Sequence, residues 1–396
     1  MLITAGRVLV DSGTYLQGAA VLIEGDSITA VGPREQIMDQ VRADVPRLDF
    51  DGTVIPGLID AHVHLAFDGG PDPVSTLQNS TDEVLLEDMR RRAAQLLFSG
   101  VTTARDLGDR NGLALRLATE INDRRTPGPR IMSAGTPATT RGGHCFFLGG
   151  EVSGEAEIRD LVRRNAAAGA GVIKAMATGG GLTKGGPKSA ESQFTAEELS
   201  ALVDEAHTAG LPVAAHAHGA DGIAAAVDAG VDTIEHCTWM AEDGGLDFRP
   251  DVVKQIVDRG IAVCPAVSPH WQMLPRFFGE ERANAMFELV RRMADSGVRL
   301  VAGTDAGVQR ATFDGLVPAL SFYAHLGLTA ASIIDMATVE AAAALGLGST
   351  TGRIAPGYSA DLLLVDGDPL ANLDVLKNIR AVIASGRRYD PRAAAE

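Results

Sequence analysis

Strand-like apolar segments alternate with segments of helical periodicity throughout the middle of the chain. Eight strand-like segments occur, at Val54–Asp60, Val101–Asp106, Arg130–Ala134, Gly171–Ala177, Val213–His218, Thr233–Cys237, Ile261–Val267 and Arg299–Asp305. Helical periodicity is clearest between them at Thr81–Phe98, Gly154–Ala168, Thr195–Ala209 and Arg249–Arg259. Eight strand–helix repeats predict a parallel sheet that closes into a (β/α)8 barrel of the TIM type over residues 56–349.

Both ends of the chain carry short strand-like segments without helices between them. Leu2–Ala5, Arg7–Val10 and Ala20–Glu24 lie near the start, and Ala360–Val365 and Ala381–Gly386 lie near the end. Neither end is long enough to form a sheet with a core of its own. The sequence therefore predicts a small β-sandwich formed from both termini, residues 1–55 together with 350–396.

Charge and cysteine content exclude several classes of protein. The 396-residue chain carries a formal net charge of −16, which repels nucleic-acid backbones and anionic membrane surfaces. No run of about 18 apolar residues occurs, and the first residues lack the features of a secretory leader. The three cysteines form no CxxC pair, which favours a reducing compartment. We expect a cytoplasmic protein that acts on a small molecule, without nucleic-acid or membrane partners; homo-oligomerisation stays open.

Polar residues are concentrated at the predicted strand ends, which meet at one face of a barrel. These residues are His62, His64, Lys174, His216, His218, His236 and Asp305. A single histidine at a strand end is more often a structural residue than a ligand. Several imidazoles and a carboxylate on converging strand ends instead predict a site for zinc or a similar divalent ion.

Lys174 is unexpected in such a site, because an ammonium group would be repelled by bound cations. Burial and nearby positive charge favour the neutral amine, which can add carbon dioxide to form an anionic carbamate able to bridge two metals. The alternative is a lysine that reaches solvent or pairs with a carboxylate.

Several motifs together resemble the amidohydrolase superfamily. They are the segments 56–64, 172–174, 216–219, 234–236, 302–305 and 352–362. The stretch Gly142–His144 and the His-Ala-His-Gly motif are most similar to the imidazolonepropionase-like branch, which includes metal-dependent Xaa-Pro and Xaa-Arg dipeptidases. The resemblance implies a binuclear centre of two divalent ions, expected to be zinc, with His62, His64 and Asp305 on one metal, His216 and His236 on the other, and carboxylated Lys174 between them.

The same resemblance implies hydrolysis of an amide bond by a hydroxide that bridges the metals. Asp305 would accept a proton and deliver it to the departing amine, His144 would polarise the carbonyl, and His218 would contact the substrate. Deaminases of the family carry a glutamate where this chain has Gly219, so a binuclear hydrolase is favoured. The alternatives are a cyclic-amide hydrolase, a deaminase, or a carbamate or lactone hydrolase; a non-catalytic scaffold is disfavoured by the full set of ligands.

The sequence offers two kinds of substrate contact at the barrel mouth. Arg141, Lys184, Lys188 and Arg310 could bind a substrate carboxylate, whereas Trp239 and Phe146-Phe147 could form an aromatic wall. The dipeptidase-like relatives favour small N-acyl amino acids or dipeptides with a carboxylate-bearing leaving group. The Gly-rich segment 179–186 lacks the Gly-Lys-Ser/Thr ending of a phosphate loop and predicts a mobile active-site loop.

Overall fold

The computed structural model describes residues 1–391. The strands are β1 (Leu2–Asp11), β2 (Thr14–Glu24), β3 (Ser27–Pro33), β4 (Arg47–Pro56), β5 (Leu58–Val63), β6 (Val101–Asp106), β7 (Arg130–Ser133), β8 (Ile173–Met176), β9 (Val213–Gly219), β10 (Thr233–Met240), β11 (Ala262–Cys264), β12 (Arg299–Leu300), β13 (Leu362–Val365), β14 (Ile379–Ala384) and β15 (Arg387–Tyr389). The α-helices are α1 (Arg34–Met38), α2 (Pro73–Asn79), α3 (Asp82–Phe98), α4 (Leu113–Asn122), α5 (Gly154–Ala167), α6 (Ala196–Thr208), α7 (Ala220–Ala229), α8 (Pro250–Asp258), α9 (Leu274–Phe278), α10 (Glu280–Asp295), α11 (Leu316–His325), α12 (Ala330–Met336) and α13 (Val339–Ala344).

Strands β5 to β12 are parallel and follow one another in space as they do in the chain. Strands β5, β6 and β7 form a three-stranded sheet, and β8 to β12 form a five-stranded sheet. Parallel bridges from Ala138 to Ala175 and from Val63 to Ala306 join the two sheets at both edges. The fold class predicted from the strand–helix repeats is confirmed, and the carboxyl ends of the strands open at one end of the ring.

The barrel strands and the surrounding helices share one large core. Leu85, Met89 and Leu96 recur at helical spacing on α3 and are buried against the same apolar cluster as Leu58 and Val101 of the barrel strands. Removal of this apolar surface from water is the main term that holds the helices on the barrel.

The predicted helix start at Thr195 is confirmed in detail. The Thr195 side chain accepts a hydrogen bond from the backbone N–H of Glu198, and the Glu198 carboxylate accepts one from the backbone N–H of Thr195. This reciprocal capping box satisfies two donors that the first turn of α6 would otherwise leave unpaired.

Both chain ends contribute to one composite sheet. Its seven strands pair in the order β15-β14-β13-β4-β1-β2-β3. This sheet corresponds to the small β-sandwich that the sequence predicted from both termini. The sheet curls on itself, because the backbone N–H of Ile28 on β3 bonds Tyr358 just before β13, and side chains of β1–β3 share a buried core with those of β13 and β14.

The junction between the sheet and the barrel lies at Gly57. The first predicted barrel strand, Val54–Asp60, is divided there: β4 ends at Pro56 in the composite sheet, and β5 begins at Leu58 in the barrel. A Cβ atom on Gly57 would lie 2.2 Å from Thr102 Oγ1, so the close approach of β6 requires glycine at this point.

Candidate metal centre

The polar residues predicted at strand ends converge at the open end of the barrel. One cavity of about 320 Å³ is lined by His64, His144, Lys174, His216, His218, His236 and Asp305. His62 lies beneath it on β5 with no exposed surface. The strands carry these side chains to one place because the carboxyl ends of parallel barrel strands meet around a common axis.

His62, His64 and Asp305 form the first candidate ligand group. Their ligand atoms all lie within 4.8 Å of one another. Asp305 Oδ1 is 3.3 Å from His62 Nε2 and 3.4 Å from His64 Nε2. The strand period of two places the two imidazoles on the same side of β5. Two imidazoles and a carboxylate at this spacing suit a divalent metal such as zinc.

His216, His218 and His236 form the second candidate ligand group, again with ligand atoms within 4.8 Å. The ring centroids of His216 and His236 are 4.7 Å apart, and His218 stacks on His236 at 4.5 Å. His62 and His236 have ring centroids 5.1 Å apart, so the two groups adjoin. His218 Nδ1 is 3.0 Å from Thr238 Oγ1, which leaves its Nε2 directed away from that hydroxyl.

Lys174 lies between these groups in an unusual environment. Its side chain is 1% exposed, and its Nζ atom makes no hydrogen bond to any residue in the part of the chain that the structure describes. Burial lowers the pKa of this amine. A buried amine without a partner is costly as it stands, so it fits a site that is completed by a bound group.

Most of the histidines in the centre are held neutral by burial. Burial lowers the pKa of His64 and His218 to about 4 and that of His144 to about 3. The pKa values of His216 and His236 fall well below the ordinary range for the same reason. The neutral imidazole is the form that ligates a metal.

His62 and Asp305 behave differently because they face opposite charges. Burial disfavours a charged His62, but the carboxylates of Asp305 and Glu235 outweigh it and raise the pKa of His62. Burial likewise disfavours ionised Asp305, yet His62, His64 and Lys174 lower its pKa. Asp305 is therefore ionised at neutral pH and is 20% exposed to the cavity.

The backbone is strained where two of these side chains enter the cavity. His236 has φ 69° and Asp305 has φ 58°, the left-handed region that residues with a side chain rarely adopt. The backbone N–H of Asp305 donates to His62 O at 2.8 Å, which ties the strained residue to β5. Such conformations cost about 1–3 kcal/mol each and concentrate at functional sites.

His144 reaches the centre from the loop after β7. It is 4% exposed, and its ring centroid is 4.7 Å from that of His216. Its backbone N–H donates to Gln193 Oε1 at 2.6 Å, and the Thr183 hydroxyl lies 3.4 Å from its Nδ1. The Gly-rich segment after β8 thus packs against His144 and covers the second ligand group.

Two residues predicted to contact substrate lie elsewhere. Arg141 is largely exposed and pairs with Glu157 of α5 at 2.9 Å. Trp239 is fully buried, and its Nε1–H points to Met293 Sδ at 3.4 Å. Strand β10 continues through Trp239, so this residue lies within the barrel wall and not in the loop where the motif placed it. Lys184 lines a second cavity at the barrel mouth, where its Nζ atom pairs with Asp72 at the rim.

Sequence reasoning assigned no role to a charged network below the centre. Glu235 Oε2 accepts a hydrogen bond from His62 Nδ1 at 2.8 Å, and Glu235 Oε1 accepts one from Arg105 Nη2 at 2.8 Å. Arg105 also donates to Ala61 O and to Thr233 Oγ1. The strand period could have indicated Glu235, because it places this side chain on the opposite side of β10 from those of Ile234 and His236.

Comparisons with known proteins support one family. The amidohydrolase family profile matches residues 53–389. Ochratoxinase from Aspergillus niger is 28% identical over 96% of this chain and 84% of its own length. Imidazolonepropionase from Paracoccus denitrificans is 26% identical over 90% of each chain. A crystal structure of a Xaa-Pro dipeptidase with methionine in its active site superposes with a TM-score of 0.86 at 29% identity, over 98% of this chain and 99% of that one.

Proposed function

The chain belongs to the amidohydrolase family, and we propose that it is a metal-dependent enzyme that hydrolyses an amide C–N bond in small N-acyl amino acids, dipeptides or related amides. The single observation that carries the metal-dependent part is the buried, unpartnered Lys174 amine among neutral imidazoles. Ochratoxinase and the Xaa-Pro dipeptidase among its relatives support amide hydrolysis.

We assign two divalent ions, zinc in the first instance, to this centre. His62, His64 and Asp305 would hold one ion, and His216 and His236 would hold the other. Lys174, carboxylated by carbon dioxide, would bridge them. When bound, such ions act as Lewis acids and lower the pKa of water. The fit rests on the two ligand groups and on the buried His62 Nε2 and Lys174 Nζ, which lack hydrogen-bond partners among residues 1–391.

Asp305 is the group best suited to move a proton. Its lowered pKa keeps it ionised, so it can accept a proton from the attacking water and pass it to the nitrogen of the departing amine. His144 faces the same cavity and, as a neutral imidazole, can donate a hydrogen bond to the substrate carbonyl oxygen. His218 lines the cavity beside His236, where it can contact the substrate.

The geometry around Gly219 argues against the deaminase alternative. A Cβ atom on Gly219 would lie 2.3 Å from the Ala190 carbonyl oxygen. A glutamate at this position would need the segment after β8 to move, so the acid–base group implied for deaminases cannot occupy this place as the chain is folded. Hydrolysis of cyclic amides, carbamates or lactones uses the same ligands and is resolved by substrate tests.

The state of the cysteines supports a proposal for the cellular location. The three cysteines, Cys145, Cys237 and Cys264, are all free and buried. No helix within residues 1–391 has the length and apolar character needed to cross a membrane. The free thiols support a reducing compartment, and we propose the cytoplasm.

Metal analysis with matched histidine variants tests the centre. We expect close to two divalent ions per wild-type chain, and loss of metal and activity together in His236→Ala. His207→Ala is the control, because His207 is 45% exposed and pairs with Asp232 away from the barrel mouth. Full activity with a single tightly bound ion would contradict the binuclear assignment.

Chemical rescue tests the role of Lys174. Lys174→Ala should lose at least about 100-fold in kcat/KM, because the proposed bridging ligand is removed and the binding of both ions is weakened. Short carboxylic acids should restore part of this activity by supplying a bridging oxygen pair. An unmodified lysine in the mass spectrum of the native, active, metal-loaded enzyme would remove the carbamate from the proposal.

A further inference from the structure

A second cavity, the annex, adjoins the metal centre at the barrel mouth. The annex has a volume of about 430 Å³ and shares Gly181, Leu182 and Gln309 with the cavity that holds the ligands. Its remaining walls come from α2 and the two residues before it, from the short 3-10 helix Phe146–Leu148 after β7, and from Thr183 and Lys184. A molecule whose reacting bond lies at the metal centre can therefore extend directly into the annex.

Aromatic rings pack in sequence from His64 to the annex. The ring centroid of Phe67 is 5.6 Å from that of His64 and 6.3 Å from that of Phe147. Phe147 continues to Phe146 at 5.8 Å. Leu182 is partly buried on the side shared with the metal centre. Phe67 is fully buried and lines neither cavity, so the apolar surface that a substrate can reach in the annex comes from Phe146, Phe147 and Leu182.

The charges that line the annex are already paired with each other. Lys184 Nζ lies 3.5 Å from Asp72 Oδ2, and the Lys184 side chain is 87% exposed. Asp72 also caps α2 by accepting from the backbone N–H of Ser75. Among the described residues that line the two cavities, Lys174 and Lys184 are the only lysines or arginines. Lys174 belongs to the proposed metal centre, and Lys184 already has a carboxylate partner in Asp72.

We propose that the annex binds a neutral aromatic group of the substrate, attached on one side of the scissile amide bond. This inference rests on the proposed function and sharpens its substrate class. Of the substrates named there, it selects the related amides without a carboxylate over the N-acyl amino acids and dipeptides expected from the dipeptidase-like relatives. The physical reason is that Phe146, Phe147 and Leu182 present apolar surface that favours an aromatic group, whereas a carboxylate would find only Lys184, which already lies beside Asp72.

A panel of matched neutral amides tests the substrate class. The acyl group is acetyl, benzoyl or 2-naphthoyl, and each acid is coupled to methylamine and to aniline. We expect kcat/KM to be about tenfold or more higher for the benzoyl or 2-naphthoyl amides than for the acetyl amides, or for the anilides than for the methylamides. Faster turnover of N-acyl amino acids and dipeptides than of every neutral aryl amide would overturn the proposal.

Variants of the wall locate the preference in the annex. Phe147→Ala and Leu182→Ala should lower the ratio of aryl to acetyl kcat/KM by about tenfold. Phe277→Ala is the matched control, because this phenylalanine is 58% exposed on α9 and lines neither cavity. An unchanged ratio in both wall variants would overturn the proposal, as would a selective tenfold loss of N-acyl amino acid turnover in Lys184→Ala.

Binding without turnover separates this inference from the proposed function. The affinity of methyl 2-naphthyl ketone, which has the naphthoyl group but no amide bond, is measured calorimetrically for the metal-loaded wild type, Phe147→Ala and Phe277→Ala. Weaker binding in Phe147→Ala alone supports the annex even if the enzyme hydrolyses no amide in the panel, a result that would contradict only the proposed function. Equal binding by all three proteins would contradict the annex while leaving the metal chemistry in place.

Discussion

The Gly180 backbone lies directly against the His144 ring, which makes the absence of a side chain at this residue important for the site. A Cβ atom on Gly180 would lie 2.5 Å from His144 Cε1 and Nε2, whereas one on Gly181 would meet nothing within 4 Å. The glycine therefore permits close packing over a proposed catalytic imidazole.

Alanine at Gly180 and alanine at Gly181 should have unequal effects on kcat. We expect Gly180→Ala to lower kcat by about 10-fold to 100-fold, because a shift of His144 by a fraction of an ångström misplaces a hydrogen-bond donor. Gly181→Ala should lower kcat much less. Steady-state kinetics of the two metal-loaded variants measures this, and equal losses would show that His144 is not the group affected.

Glu235 orients His62 from below the metal centre. The Arg105 and His62 partners lower the pKa of this fully buried carboxyl, although burial alone would raise it. Ionised Glu235 accepts the Nδ1–H of His62, which leaves Nε2 as the ligand atom.

Replacement of this carboxylate should weaken metal binding. Glu235→Gln is expected to lower metal affinity by about 10-fold to 100-fold, because the His62 tautomer is no longer fixed by a charge. Competitive titration with a chelator of known affinity measures the change. Glu120→Gln is the control, since Glu120 is also buried and paired with an arginine, Arg90, outside the centre. An affinity within twofold of wild type would remove Glu235 from this positioning role.

Helices α5 and α6 differ in how their first turns are stabilised, although a serine or a threonine precedes each of them. Thr195 caps α6 through a reciprocal box with Glu198. At α5, within the described residues, the Ser153 side chain makes no capping bond, and only its backbone N–H donates to the Glu157 carboxylate. A serine or threonine before a helix therefore predicts the start of the helix but not the energy of its cap.

Unfolding of matched alanine variants tests this difference. Thr195→Ala should lower the free energy of unfolding by about 1 kcal/mol through loss of the cap. Ser153→Ala should change it by less than about 0.5 kcal/mol. Urea denaturation followed by circular dichroism provides both values, and equal destabilisation would mean that the capping bonds contribute nothing specific.

At the scale of the whole molecule, Asp361 joins the composite sheet to the barrel. Its buried carboxylate accepts from Arg130 Nη1 of β7 at 2.8 Å, from Thr351 Oγ1 at 2.8 Å and from the backbone N–H of Ser385 at 2.8 Å. Three partners from separate segments depend on this one side chain, so the sheet and the barrel are stabilised together.

Loss of this carboxylate should destabilise the entire protein. Asp361→Ala is expected to cost about 3–5 kcal/mol, because Arg130 and buried hydrogen-bond donors lose their partner. Asp390→Ala, which breaks an exposed pair with Arg388, should cost at most about 1 kcal/mol. Denaturant unfolding of both variants makes the comparison. A loss below 1 kcal/mol for Asp361→Ala would show that the junction does not depend on this network.

The sequence by itself determined the strand–helix order, the contribution of both ends to one sheet, and the set of residues at the barrel mouth. These features follow from local periodicity and from the rule that parallel strand ends converge. The roles assigned to those residues as ligands stay a proposal that metal analysis will test.

Only the tertiary structure decided where the long side chains point and what packs against the glycines. Trp239 closely follows its motif and Arg141 immediately precedes its own, but the continuation of β10 and the ion pair with α5 carry them away from the cavity. The Glu235–Arg105 network and the annex arise from contacts between segments far apart in the chain. Periodicity assigns a residue to a face of its own element, whereas neighbours from other elements determine its partners, its burial and its charge state.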